Sequence, residues 1–318
     1  MYDDSRLTPE AALEARERIR AMIRVTPVMT SDVLDDLAGA SLFFKCEHLQ
    51  ETGSFKLRGA SHAVSRLPDD CPGVATHSSG NHGAALARAA ALRGFPAEIV
   101  VPEGAVPAKV DNIRRNGGRV RFCPPTQQGR EDALAELAAQ GLFSPVPPYD
   151  DERIIAGQAS CALELMEQVA DLDTIVVPVG GGGLVAGTAL AARSTERPIE
   201  VVGVEPAGAD DTARSLAAGS RVADHRPETI ADGLRALVGE RNLDIIRRDV
   251  DRVLTVEEAA IVEAMRRIWI ELKQLAEPSG AVALAGVLAY PECFRSRRVG
   301  VVISGGNIDV DALLAGLA

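Results

Sequence analysis

Residues 174–193 read TIVVPVGGGGLVAGTALAAR, and they give the clearest indication of the fold class. The apolar run Thr174–Val179 does not alternate with polar residues, which is typical of a strand covered on both faces. Four glycines, Gly180–Gly183, follow it, and an Ala-rich helical segment continues to Arg193. Glycines leave backbone N–H groups accessible, and a helix N-terminus adds positive potential. The stretch therefore predicts a strand, a loop that can bind a phosphate, and a helix.

The same alternation of apolar runs and Ala-rich helical segments extends along the whole chain. Most of the runs are continuous, so the strands they predict are buried on both faces. The predicted strands are Ser41–Cys46, Val74–His77, Ala97–Val101, Arg119–Phe122, Thr174–Val179, Ile199–Val204 and Val299–Ile303. A succession of β and α segments favours parallel sheets with helices on both faces. The predicted fold class is therefore α/β, with two doubly wound, mainly parallel sheet domains.

Local signals predict where some helices begin or end. Thr8, followed by proline, is a good N-cap residue, so a helix is expected to begin there. The segment Thr255–Glu258 has the pattern of a capping box, which predicts a long helix that continues to about Ala276. An Ala-rich helix that begins at Asn81 is expected to end before Gly94, because glycine favours the left-handed conformation after a helix.

Two proline-containing stretches, Leu67–Pro72 and Pro145–Pro148, are the candidate hinges. The piece between them is long enough to be a smaller inserted domain. We therefore expect a large domain made of residues 1–67 and 148–318, and a small mobile domain made of residues 68–147 that closes over a substrate.

Composition excludes several classes of protein. The net charge of −11 and the aromatic content of 3% disfavour nucleic acid as a partner. No apolar run approaches the roughly 20 residues that span a bilayer, and the acidic N-terminus does not resemble a secretory signal. The cysteines are odd in number and scattered along the sequence, a pattern that is typical of free thiols in a reducing compartment. We expect a cytoplasmic protein with a small-molecule partner, and neither membrane nor nucleic acid.

The glycine loop also fits a dinucleotide site. Gly181, Gly183 and Ala186 match the G-x-G-x-x-G/A pattern, and Glu205 ends the next strand, where an acid that binds ribose is expected. This alternative predicts an NAD-dependent oxidoreductase. A third alternative is a ligand-binding protein without catalytic activity.

A lysine lies in apolar surroundings near the first predicted strand. Lys56 is flanked by Phe55 and Leu57, with Ala60 one turn further on. Burial lowers the pKa of a lysine, and a neutral lysine amine can form Schiff bases. The segment therefore makes Lys56 a candidate for covalent catalysis.

Four motifs occur in a fixed order along the chain, and together they resemble a known family. They are Ser54–Ala60, Ser78–Gly83, Gly180–Gly183 and Ser304–Asn307. The chain is similar, from about Leu7 to Val310, to the pyridoxal-phosphate (PLP) enzymes of fold type II, in the serine/threonine dehydratase and serine racemase family. The resemblance implies a tryptophan synthase β-like fold and PLP as the cofactor, and it outweighs the dinucleotide alternative.

The resemblance also implies roles for individual residues. Lys56 would carry the cofactor and then act as the base for the substrate α-proton, and Ser304 would contact the ring nitrogen. A hydroxyl cannot keep that nitrogen protonated, which favours β-elimination over transamination. The residues expected to bind the cofactor are Phe55, Lys56, Asn81, Gly180, Gly181, Gly182, Gly183, Leu184, Glu277 and Ser304. Those expected to bind the substrate are Ser78, Ser79, Gly80, Asn81 and His82.

The reaction expected from the resemblance is dehydration of a small β-hydroxy amino acid, such as serine, threonine or 3-hydroxyaspartate, to a 2-oxo acid and ammonia. Racemases of this family have serine at the position of Ser79, where it faces Lys56 across the substrate α-carbon. Racemisation needs acid/base groups on both faces, whereas dehydration needs one base and an acid for the leaving hydroxyl. Dehydration is therefore the main prediction, and racemisation of serine or aspartate with Lys56 and Ser79 is the alternative.

Further features follow from the resemblance or from residue type. Glu205, the Ala209 carbonyl and Asp211 would bind Mg²⁺ or Ca²⁺, with an acidic surface loop as the alternative. Tyr149 could line the site and shape specificity, or it could merely cover the hinge. Arg130 could meet a second substrate carboxylate, although exposure at the surface is the simpler expectation for Arg130. A homodimer is typical of the family.

Overall fold

The computed structural model describes residues 7–78 and 80–309, which form an α/β structure with two sheets. Its helices are α1 (Pro9–Ile19), α2 (Asp32–Ala38), α3 (Lys56–Ser65), α4 (Asn81–Leu92), α5 (Pro107–Arg115), α6 (Gln127–Ala139), α7 (Glu152–Gln168), α8 (Gly183–Ala192), α9 (Asp211–Ala218), α10 (Glu240–Asp249), α11 (Glu258–Leu272) and α12 (Pro278–Ala289). Its strands are β1 (Val28–Met29), β2 (Ser41–Cys46), β3 (Val74–His77), β4 (Ala97–Pro102), β5 (Arg119–Cys123), β6 (Ser144–Pro145), β7 (Thr174–Pro178), β8 (Glu200–Pro206), β9 (Arg252–Val256) and β10 (Arg298–Ile303).

The larger sheet has six strands in the order β1-β2-β10-β7-β8-β9. All neighbours are parallel except β1, which pairs antiparallel with β2. Successive strand residues point to opposite faces, so Ile175 and Val177 pack into one apolar cluster while Val176 packs into the other. Helices α1, α7, α8 and α10 contribute to the first cluster, and α2, α11 and α12 to the second. The sheet is therefore doubly wound, as predicted.

The smaller sheet has four parallel strands in the order β5-β4-β3-β6. Helices α3, α4 and α5 pack with one face, and α6 packs with the other. The sheet lies within residues 74–145, inside the segment 68–147 that the two candidate hinges delimit. That this segment is a separate mobile domain stays a prediction.

The continuous apolar runs predicted the long strands well. The bounds of β2 and β3 agree with the prediction, four predicted strands differ from it by one residue at one end, and β8 differs at both ends by one and two residues. Strands β1, β6 and β9 were not predicted. The first two have only two residues each, and β6 contains a proline, so neither leaves a periodic signal in the sequence.

The capping-box prediction is wrong. Thr255 and Val256 belong to β9, and α11 begins at Glu258 after the N-cap Glu257, whose side chain makes no capping hydrogen bond. Pairing of β9 with β8 places Thr255 opposite Glu205 in the sheet, so tertiary pairing overrides the local cap signal. The helix ends at Leu272 rather than near residue 276, because Lys273 adopts the left-handed conformation with φ 56°.

The other local signals are confirmed. Thr8 caps α1, since its Oγ1 accepts a hydrogen bond of 3.3 Å from the Ala11 N–H. Helix α4 ends at Leu92, and Gly94 follows with φ 73°. No helix in residues 7–78 and 80–309 is both long and apolar enough to cross a bilayer.

Candidate active site

The loop between β7 and α8 carries the four glycines, and Gly182 is the N-cap of α8 with φ 88°. The backbone from Gly180 to Leu184 is buried. Within the described part of the chain, the five N–H groups of these residues have no hydrogen-bond acceptor. Buried N–H groups without partners are rare, and at a helix N-terminus they form a site for an anion. The loop therefore fits a phosphate group.

Two side chains that were not assigned from the sequence hold this loop. The Asn242 Nδ2 donates a hydrogen bond of 2.6 Å to the Gly181 carbonyl, which also accepts one of 3.1 Å from the Gly239 N–H. The ring of Tyr149 covers Gly181 so closely that a Cβ at Gly181 would lie 2.4 Å from the ring Cγ. Tyr149 was considered as a lining residue, whereas Asn242 has no local signal beyond being a polar residue on the buried side of α10.

Lys56 is the first residue of α3, and its Nζ donates a hydrogen bond of 2.9 Å to the Pro148 carbonyl. The rings of Phe55 and Tyr149 lie 5.2 and 6.0 Å from Nζ, measured to the ring centres. Burial lowers the pKa of the amine from 10.5 to about 8. The first turn of a helix also disfavours a cation. Lys56 can therefore hold a neutral amine near neutral pH, as a lysine that forms a Schiff base requires.

A buried network of charges fixes the first turn of α3. Arg58 is fully buried, and its guanidinium donates to Glu47 at 2.7 Å and to Glu164 at 2.7 Å. Lys45, also fully buried, donates to Glu164 at 2.8 Å. Two positive and two negative groups balance one another, so the network binds α3 to α7 and to the end of β2 without a net buried charge.

The Ser304 motif pairs with the backbone just before Lys56. The Phe55 N–H donates to the Ser304 carbonyl at 3.0 Å, and the Gly306 N–H donates to the Gly53 carbonyl at 3.0 Å. Ser304 is buried, and its hydroxyl lies 3.4 Å from the carbonyl oxygen of Ser279. The motif after β10 therefore lies beside the lysine segment.

Asn81 joins this group from the other sheet. Its Nδ2 donates to Glu277 Oε1 at 2.6 Å, and its Oδ1 accepts from Asn307 Nδ2 at 2.7 Å. Burial raises the pKa of Glu277 to about 7. Asn81, Glu277 and Asn307, which are far apart in the sequence, are thus in contact near the loops that follow β3 and β10. A contact of Asn81 with the cofactor ring stays a prediction.

The rest of the loop after β3 is built from polar groups. The Ser78 hydroxyl accepts from the Gly80 N–H at 3.3 Å, and Ser79 lies outside the described residues. His82 is buried, with Nε2 3.1 Å from the Val146 carbonyl. Burial, together with the charge of Lys56, lowers the pKa of His82 to about 3, so the imidazole is neutral. Its side chain supports the loop, and binding of a substrate by Ser78–His82 stays a prediction.

Arg130 lies near the start of this loop. Burial and the charge of Arg130 lower the pKa of His77, the last residue of β3. The Arg130 Nε is buried and has no acceptor among residues 7–78 and 80–309. A guanidinium with an unpaired Nε beside the loop is suited to an additional carboxylate.

The predicted cation ligands lie together at the end of β8 and the start of α9. Glu205 accepts from the N–H groups of Thr212 and Ala213 at 3.2 and 3.0 Å, and burial raises its pKa to about 8. Asp211 and Ala209 are buried, and Asp211 Oδ1 has no hydrogen-bond donor in the described ranges. Asp211 Oδ1 lies 3.4 Å from His225 Nδ1. Carboxylate oxygens are the ligands that a hard cation prefers, and occupancy by Mg²⁺ or Ca²⁺ stays a prediction.

The residues present fit PLP. The buried N–H groups of Gly180–Leu184 match its phosphate, and the amine of Lys56 matches its aldehyde. Bound there, PLP would supply an electron sink for the negative charge left when an amino acid loses its α-proton. The protein would hold the phosphate, and Lys56 would accept and return protons at Nζ.

Comparisons with known proteins agree with this site. The family described as "Pyridoxal-phosphate dependent enzyme" matches residues 19–305. The chain is 47% identical over 308 residues to β-hydroxyaspartate dehydratase of Paracoccus denitrificans (strain Pd 1222), covering 96% of this chain and 98% of that protein. It is also 47% identical over 307 residues to serine racemase of Arabidopsis thaliana, covering 94% of this chain and 93% of that protein.

A solved structure agrees equally well. Maize serine racemase superposes with a TM-score of 0.93 and 40% identity, over 98% of this chain and 96% of that chain. The match extends over both sheets, so it includes the two loops and the lysine described above. The chain therefore belongs to the pyridoxal-phosphate dependent enzyme family, as an α/β protein of fold type II.

Proposed function

We propose that this protein is a PLP-dependent ammonia-lyase that removes water from a small β-hydroxy amino acid and yields a 2-oxo acid and ammonia. The observation that carries the proposal is the amine of Lys56, whose pKa burial lowers to about 8, near the free N–H groups of the glycine loop. The ring of Tyr149 lies 6.0 Å from the amine and also covers Gly181. The amine suits a base for the α-proton, and the N–H groups suit the phosphate of the cofactor.

Among β-hydroxy amino acids, we propose 3-hydroxyaspartate as the preferred substrate. Ser78, Ser79, Gly80, Asn81 and His82 would take the α-carboxylate at the N-terminus of α4. Arg130, whose Nε has no acceptor in the described ranges, would take the β-carboxylate. The name of the Paracoccus relative, β-hydroxyaspartate dehydratase, supports this choice.

Racemisation is the second candidate activity. It is supported by the serine at position 79, which would face the substrate opposite Lys56, and by the relatives named serine racemase. Both activities need Lys56, but only racemisation needs an acid/base group on the second face. A Ser79→Ala variant should therefore lose enantiomer formation while it keeps dehydration.

Four finer features complete the proposal. Glu205, Ala209 and Asp211 would bind Mg²⁺ or Ca²⁺, and residues 68–147 would close over the substrate. The protein would be a cytoplasmic homodimer. The cation is tested by thermal unfolding with and without Mg²⁺, since only the wild type, and not Glu205→Gln, should gain stability.

The cofactor is tested by the absorption spectrum of the purified protein. A band near ~410–430 nm is expected for a lysine-bound cofactor, and Lys56→Ala should abolish it together with turnover. Lys273→Gln is the matched control, because Lys273 is exposed at the end of α11. A protein that binds NADH and shows no such band would contradict the proposal.

The substrate is tested by assaying serine, threonine, 3-hydroxyaspartate and phenylserine for formation of 2-oxo acid and of the opposite enantiomer. Arg130→Gln should lower kcat/KM for 3-hydroxyaspartate by about 10- to 100-fold and leave serine within about threefold, since a buried charge pair contributes about 1.5–3 kcal/mol. An equal loss of kcat/KM for 3-hydroxyaspartate and for serine would show that Arg130 does not bind the β-carboxylate.

A further inference from the structure

A chain of hydrogen bonds between side chains crosses from the lysine segment to α12. The Asn307 Nδ2 donates to the Thr52 carbonyl at 2.8 Å and to Asn81 Oδ1 at 2.7 Å. The Asn81 Nδ2 then donates to Glu277 Oε1 at 2.6 Å. The chain links residues from four separate segments, and its central member is Asn81, the residue expected beside the cofactor ring.

The chemistry at each end sets the direction of every donor in this chain. A backbone carbonyl such as that of Thr52 can only accept, so the amide of Asn307 must turn its Nδ2 toward it. Both N–H groups of Asn307 are then used, and the second requires an acceptor on Asn81. The Glu277 carboxylate requires a donor from Asn81 at the other end. Two independent constraints therefore give Asn81 the same orientation.

Backbone packing holds the two ends of the chain in place. A Cβ at Gly53 would lie 2.3 Å from Asn307 Oδ1, and a Cβ at Gly305 would lie 2.1 Å from Glu277 Oε1. Glu277 is buried, with 4% of its surface exposed, and its N–H donates to the Gly305 carbonyl at 3.1 Å. Gly53 and Gly305 therefore leave the space that the Asn307 and Glu277 side chains occupy, and a larger residue at either glycine would displace them.

We propose that Glu277 and Asn307 are positioning residues that hold the Asn81 amide in one orientation, with one N–H left to donate to the ring oxygen of the bound cofactor. The proposal rests on the proposed function, because it needs PLP in the cleft. A donor stabilises the anionic form of the ring oxygen. Loss of that donor would raise the pKa of the nitrogen that joins the cofactor to Lys56. The pH midpoint of the visible band would therefore move upward.

The test compares Asn307→Asp with Glu277→Gln and Glu277→Leu in PLP-loaded protein. An aspartate at position 307 cannot donate to Asn81, so the pH midpoint of the visible band should rise by about one pH unit. Glutamine at position 277 keeps an acceptor oxygen and should leave the midpoint within about 0.3 units. Leucine at position 277 removes the acceptor and should act as Asn307→Asp does. Asn116→Asp, the same chemical change at the end of α5, is the control.

The outcomes separate this proposal from the proposed function. If the wild type shows no visible band with PLP, the proposed function fails. If the band forms and Asn307→Asp leaves its midpoint unchanged, the positioning role is overturned. Equal shifts in Glu277→Gln and Glu277→Leu would also overturn it, because the acceptor oxygen would then not matter. Should Asn307→Asp fail to fold, by circular dichroism, the pair at Glu277 decides alone.

Discussion

The two loops that follow β7 and β3 have the same architecture and different chemistry. Each connects the carboxyl end of a parallel strand to the N-terminus of a helix, where an anion is favoured. The loop Gly180–Gly183 offers buried backbone N–H groups and no side chains. The loop 78–81 offers hydroxyl and amide side chains, and the Gly80 N–H donates to the Ser78 hydroxyl within it.

The difference shows which part of a site can vary while the fold is kept. A backbone site has no side chain to exchange, so it binds a group that never changes, as the phosphate of a cofactor does. A side-chain site can be altered by single substitutions without a change in backbone path. We therefore expect substitutions in the glycine loop to affect cofactor binding, and those in the loop after β3 to affect substrate selection.

The largest effect should come from Gly181→Ala. The added Cβ would lie 2.4 Å from the ring of Tyr149, so the ring and the loop must move apart. We expect PLP affinity, measured by titration of the cofactor-free protein, to fall at least about 100-fold, or about 2.7 kcal/mol.

Gly80→Ala is the comparison, because a Cβ there meets no atom of the described residues within 4 Å, its chain neighbours apart. It should change PLP affinity by less than about threefold and act on the KM of the substrate instead. Equal losses of PLP affinity in the two variants would remove the distinction between the loops.

A smaller effect is expected from Asn242→Ala. Its Nδ2 donates to the Gly181 carbonyl at 2.6 Å, so the variant loosens the loop without filling it. PLP affinity should fall about tenfold, since one buried hydrogen bond contributes about 1–1.5 kcal/mol. Asn116→Ala, at the end of α5 in the smaller-sheet region, should leave PLP affinity unchanged. An unchanged PLP affinity in Asn242→Ala would mean that the glycine loop keeps its conformation without the hydrogen bond from Asn242.

The smallest effect concerns Lys56, which lies between the two loops. Its pKa falls from 10.5 to about 8 in the folded protein, so the folded state binds this proton less tightly than the unfolded chain does. Without cofactor, stability should therefore rise as the pH increases from about 8 to 10.5, and the charge should cost stability below pH 8.

Lys56→Met should remove this cost. At pH 7 the cofactor-free variant should be more stable than the wild type by about 1 kcal/mol, the side chain being partly exposed, and the gain should shrink by pH 9.5. Urea unfolding of the variant and the wild type at pH 7 and at pH 9.5 measures this difference in stability. A gain that is the same at both pH values would show that the amine is solvated like an ordinary surface lysine.

The sequence predicted those features of the site that depend on local chemistry. Continuous apolar runs predicted the long strands, and the four glycines predicted the anion site, because both act through their own backbone. Contacts between distant segments left no such signal. Asn242 reaches Gly181 across 61 positions, and Asn81 reaches Glu277 across 196. The capping-box error has the same cause, since pairing with β8 placed Thr255 in a strand.

The buried network beneath α3 has a consequence for engineering the enzyme. Lys45, Glu47, Arg58 and Glu164 have little or no contact with solvent, and none of them would touch the substrate. Removal of one partner leaves a stranded charge, at a cost of about 3–5 kcal/mol. The four residues can therefore be exchanged only as a set. A mutational library aimed at new substrates should keep these four residues unchanged and vary the residues of the loop after β3.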